Sequence, residues 1–114
     1  MSFARSLTYA LAGLKYGLRT QRHLRFHLLA AFMAICIGSL VGLLPMQWAV
    51  LTLTIAAVIS VELINTAIEA LVDLLSPDYH QKAKVAKDTA AAAVLVVSIA
   101  AVIVGLLIFW PSYR

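Results

Sequence analysis

Residues 90–110, AAAAVLVVSIAAVIVGLLIFW, run for 21 positions without a charge. At 1.5 Å of rise per residue, a helix of that length spans ~31 Å, about the thickness of a bilayer's hydrocarbon core. A second uncharged run, LLAAFMAICIGSLVGLL, covers residues 28–44, and by the same rise it spans ~26 Å. Pro45 ends that segment. The next run starts at Met46, is interrupted only by Gln47 and Glu62 as far as Ile64, and continues with amphipathic spacing to Leu75. The expected fold class is therefore all-α and integral to a membrane, with crossing helices over residues 28–44, 46–75 and 90–110. Gly38 and Gly42 form a GxxxG pattern of the kind that lets membrane helices approach closely.

Composition agrees. The chain has 114 residues, enough for one domain spanning 1–114. It is 63% hydrophobic and 12% charged, and its mean hydropathy is +0.96. A soluble domain this small has too much surface for its volume to hide so many apolar side chains. A soluble enzyme, a disordered tail and a disulfide-stapled secreted domain are all excluded on that ground. The single cysteine, Cys36, has no internal partner and reads as a small buried hydrophobe. No cleaved leader is expected, because the first apolar run begins only near residue 28 and is too long for one.

Residues 1–27 read as one amphipathic helix lying in the headgroup region. Phe3, Leu7, Leu11, Leu14 and Leu18 recur every three or four positions, and Arg5, Lys15, Arg19 and Arg22 sit mostly off that stripe. Net charge is +4, with no dense Lys/Arg run of the sort that binds nucleic acid. Residues 1–27 carry five of the nine cations and the connection over 73–88 carries three, while the turn at Pro45 has none. The positive-inside rule then places the N-terminus and the 73–88 connection in the cytoplasm and the C-terminus outside. Ser76-Pro77-Asp78 reads as a helix stop followed by a restart.

All five acidic residues lie between Glu62 and Asp88. At about 100° per residue, Glu62, Thr66, Glu69 and Asp73 fall on one helix face, with Asn65 beside them. Carboxylates are costly inside a membrane, so they mark function by default. If the span begins near Gln47, Glu62 lies ~22 Å in, near the inner edge of the core, and Glu69 ~10 Å further on. Such a stripe meets a lipid headgroup at one end and a water-soluble reactant at the other. A second cluster, Asp78, Tyr79, His80, Lys82, Lys84, Lys87 and Asp88, has cations suited to phosphate, and it also reads as a solvated cytoplasmic loop. No GxxxxGK[ST] or GxGxxG motif occurs, and His23, His27 and His80 lack zinc-site spacing.

VELINTAIEALVD over 61–73, DYH over 78–80 and AKDTAAAAVL over 86–95 together resemble the prokaryotic diacylglycerol kinase family, which includes the undecaprenol kinases. YALAGLK over 9–15 and TQRHLRFH over 20–27 extend the resemblance over nearly the whole chain. It implies a small homotrimeric membrane kinase that moves the γ-phosphoryl group of ATP to a lipid hydroxyl at the cytoplasmic interface of a bacterial inner membrane. On that resemblance Glu62 is the base and Glu69 a ligand of the Mg²⁺ that accompanies ATP. Asn65 and Asp73 support the same site. Tyr9, Glu69, Asp78, Tyr79, His80, Lys87 and Asp88 meet the nucleotide, and Arg25 and Trp110 lie near the lipid substrate. One departure is Gln21, where many relatives carry a metal-binding Glu; an amide oxygen is the weaker ligand for a hard cation. His27 resembles the undecaprenol-kinase side of the family.

Two other classes fit a short chain with a membrane carboxylate. A proton-coupled exporter places that carboxylate near the midplane and often shows repeat symmetry; Glu62 is off-centre and no repeat occurs. A non-catalytic scaffold has no use for Asn65, Glu69, Asp73, Lys87 and Asp88 together.

Overall fold

The computed structural model describes residues 2–110. Four helices follow in order: α1 over Phe3–Thr20, α2 over Arg22–Val41, α3 over Pro45–Leu75 and α4 over Gln81–Phe109. The last three are long and apolar enough to cross a membrane. α3 packs most extensively along α4, less along α2, while α1 touches α2 and α3 lightly.

The N-terminal region is two helices, not the single 1–27 helix that apolar spacing suggests. Gln21 has extended backbone angles and separates α1 from α2. Arg25 secures the joint: its Nη1 donates to the carbonyl oxygens of Leu18 and Arg19 at 2.8 and 3.2 Å. A cation there satisfies carbonyls that a helix end leaves free and opposes the negative end of its dipole. Gly17 and Leu24 close the angle. Both are buried, and a Cβ at Gly17 would stand 2.8 Å from Leu24 Cδ2 and 3.2 Å from Leu63 Cδ2. The first crossing helix thus begins at Arg22, six residues before the apolar run.

Three further boundaries differ from the sequence reading. Gly42 takes a left-handed conformation, φ 82°, and caps α2, so it is a terminator and not half of a packing motif. Gly38 alone is crowded, by Leu43 and Trp48. Pro45 opens α3 instead of closing α2, and Gln47 Oε1 accepts from the Leu44 backbone N–H at 2.9 Å. The 73–88 connection is largely helical: only 76–80 lie outside helices. Ser76 caps α3, and His80 Nδ1 accepts from the Lys82 N–H at 3.0 Å to start α4, four residues after the stop. Pro111, expected to close the last run, and the C-terminal residues lie outside the described residues.

Among the described residues only Leu24, Leu43, Leu51, Val58, Ala90 and Ile108 are buried hydrophobics. Leu43, Leu51 and Ile108 form a cluster with Trp48, Ile55 and Phe109 against it, at the α2–α3 turn end of the bundle. Elsewhere large apolar side chains face outward, as a bilayer demands. Cys36 is among the exposed residues, contrary to its expected burial. On α1, Phe3, Leu7 and Leu11 are exposed while Leu14 and Leu18 are half-buried, leaving an apolar strip free for the interface.

Candidate active site

Glu62 is 1% exposed, in a chain most of whose apolar side chains are uncovered. Its neighbours one turn on, Asn65 and Thr66, are also buried. Thr66 Oγ1 is spent on the Glu62 backbone carbonyl at 3.0 Å. Glu62 Oε2 and Asn65 Oδ1 have no hydrogen-bond partner. Buried polar atoms are nearly always paired, so two unpaired acceptors a turn apart mark a place built for something to bind. Across from it, His27 Nε2 of α2 lies 3.8 Å from Oε2.

Further along α3, Asn65 Nδ2 lies 3.5 Å from Glu69 Oε1, a long contact. Asp73 then accepts from Lys87 Nζ of α4 at 2.5 Å. Lys87 stands in the polar turns before the apolar run of 90–109, and the hydrogen bond to Asp73 holds its ammonium above the usual lysine range. Lys84 pairs with Asp88 one turn apart on α4. Asp73, Asp78, Tyr79, His80, Lys84, Lys87 and Asp88 line one cleft of about 370 Å³ around the α3–α4 turn. The structure therefore gathers five of the seven nucleotide-site residues, with Asp73, in one concavity. It adds Lys84, which the sequence offered only as part of a charged loop.

The other expected residues lie apart from this cleft. Tyr9 is exposed on α1. Gln21 forms the α1–α2 joint and Arg25 caps it. Trp110 is the C-cap of α4, ~34 Å along the helix from Lys87. A second cleft, apolar and about 360 Å³, runs between α2, α3 and α4 from Phe26 and His27 to Gly105 and Phe109. His27 thus borders this groove and also faces Glu62, a role the sequence did not reveal because the two are 35 positions apart.

No cluster of three His, Cys, Asp or Glu side chains suited to a metal occurs among the described residues. Mg²⁺ needs no such cage. It takes one or two carboxylates, keeps waters and completes its shell with substrate phosphates. The oxygen-only pair of Glu69 and the unpaired Asn65 Oδ1 fits that requirement.

An all-helical membrane protein whose carboxylate stripe joins a buried base-like group to a cation-lined aqueous cleft is, by class, an enzyme working at a lipid–water boundary. A model of the prokaryotic diacylglycerol kinase family matches residues 8–109. An undecaprenol kinase of Bacillus subtilis is 43% identical over 110 residues, covering 96% of this chain and 89% of that one. A diacylglycerol kinase of Synechocystis is 48% identical over 101 residues, 88% of this chain but 58% of the relative's length. The diacylglycerol kinase of Escherichia coli is 30% identical over 105 residues, 92% of this chain and 86% of that one. The chain belongs to the prokaryotic diacylglycerol kinase family. It is a bacterial membrane protein and an ATP-dependent lipid kinase.

Proposed function

We propose that the chain phosphorylates the hydroxyl of diacylglycerol or undecaprenol at the cytoplasmic surface of the inner membrane, with Glu62 as general base. The observation that carries this reading is the buried Glu62 with its unpaired Oε2, on the same α3 face as Glu69 and Asp73. The lipid hydroxyl oxygen attacks the γ-phosphorus, the bond to the β,γ-bridging oxygen breaks, ADP leaves, and the hydroxyl proton passes to Glu62. Such transfer depends on positioning and charge neutralisation.

Lys87, Lys84, His80, Tyr79, Asp78 and Asp88 line the cleft assigned to the nucleotide, and Tyr9, exposed on α1, is assigned to the same ligand. Glu69 and Asn65 would hold Mg²⁺, with Gln21 in the place of a second acidic ligand, and the bound ion would supply charge neutralisation for the triphosphate. The lipid tail lies along the apolar groove from His27 to Phe109, with Arg25 at its headgroup end and Trp110 at its far end. The N-terminus and the α3–α4 turn face the cytoplasm, in keeping with their Lys and Arg. Three copies assemble through the apolar surface that one chain leaves uncovered.

The test is radiolabelled ATP with purified protein in bilayers, offered diacylglycerol and undecaprenol separately. Label in one lipid identifies the acceptor. Label in neither, from protein that binds nucleotide, overturns the reading.

A further inference from the structure

We infer that His27 is a positioning residue: its Nε2–H holds the Glu62 carboxylate in the orientation that accepts the lipid proton. The inference rests on the reading of Glu62 as the base.

Three observations converge on it. First, Glu62 Oε2 is buried without a hydrogen-bond partner, and Nε2 of His27, at 3.8 Å, is the charged or polar group facing it. A carboxylate left to rotate in a low-dielectric site pays for every misaligned encounter. A donor on one oxygen fixes the plane and leaves the other oxygen for the hydroxyl. Catalytic hydrogen bonds are commonly long before substrate binds and tighten afterwards, and closing 3.8 Å to a bond takes ~1 Å of side-chain movement. Second, His27 is half-buried and borders the apolar groove, so a lipid entering that groove meets the imidazole. Third, Phe26 meets the ring edge-on at 5.7 Å and 74°. His27 thus has an aromatic neighbour on its own helix, a ring nitrogen 3.8 Å from the base and a place in the groove lining. It holds the base from α2 while the base itself belongs to α3, so lipid in the groove and the proton acceptor are linked through one side chain.

The experiment uses the full chain in phosphatidylcholine bilayers with ATP and whichever of dioleoylglycerol or undecaprenol the wild type phosphorylates. His27→Leu keeps the volume and the apolar contact but removes the donor. Its kcat is expected to fall about 100-fold, the penalty for ~1 Å of misplacement at a reacting centre, with KM for ATP and lipid changed less than about twofold. His27→Gln places an amide N–H near the Nε2 position and is expected to recover kcat to within about fivefold of wild type, the cost of a softer side chain. In a Glu62→Gln background His27→Leu is expected to lower the residual rate no further, because residues acting as one unit are not additive.

A KM effect in place of a kcat effect, failure of Gln to rescue while helicity is retained, or additive losses in the double variant overturns the proposal. Unaltered kcat in His27→Leu, with Glu62→Gln inactive, overturns it alone. Wild-type turnover in Glu62→Gln overturns the base assignment and this proposal with it.

Discussion

Glu62, Asn65, Thr66, Glu69 and Asp73 divide their work by depth. Thr66 returns its hydroxyl to the helix, so it contributes shape and no free donor. Glu62 and Asn65 keep an acceptor unspent, and Asp73 is committed to Lys87. Glu62→Gln is isosteric and should lower turnover by about 10²–10⁴-fold, the usual worth of a general base, while an ATP analogue still binds in equilibrium dialysis. Glu69→Gln removes one of few charged oxygens offered to a hard cation. A Mg²⁺ titration of activity should therefore shift to clearly higher concentration, with maximal rate recovered at saturation. Gln21→Glu restores a carboxylate and should shift the same titration the other way. The stripe itself was legible in the sequence, since 3.6-residue spacing alone puts these groups on one face. The unpaired state of Oε2 and the approach of His27 were not, because both depend on how α2 leans on α3.

At the level of elements, the three apolar runs could be seen in the chain because hydrophobicity is cumulative, and their ends could not. Hydropathy stops a span at the first charges. A helix stops only where its backbone is capped. Gln81–Asp88 is rich in good helix formers and has His80 before it, so α4 begins two turns ahead of its apolar part. The same logic hid the Gln21 joint, where apolar spacing runs on while the backbone turns. Lys87→Ala breaks the tie between α3 and α4 in the cleft proposed for the nucleotide. Exposed ion pairs add little stability, so the KM for ATP should rise while the thermal midpoint in detergent barely moves. Gly42→Ala forces a side chain into left-handed backbone and should cost about 1–2 kcal/mol of stability, read from thermal unfolding of the detergent-solubilised protein, with kcat unchanged at low temperature.

For the whole molecule, a small buried cluster at the α2–α3 turn contrasts with a broad apolar exterior, which the proposed three-copy assembly would cover in part. On that proposal, native mass measured in mild detergent should be three times the 12.3 kDa of one chain, and a mass of one chain overturns it. That exterior was predictable from composition; which surfaces meet lipid and which meet another copy was not, since Leu, Val and Ala look alike to both.

α3 has 31 residues and so extends ~46 Å, some 16 Å beyond a 30 Å hydrocarbon core. It is one unbroken rod bearing Glu62 and Asp73 at fixed separation. A thicker or thinner membrane therefore cannot change that separation; it can only slide or tilt the rod. Fatty-acyl length in the host membrane would thereby act as a rheostat, raising or sinking the proposed base, Glu62, relative to the plane in which alcohol headgroups float.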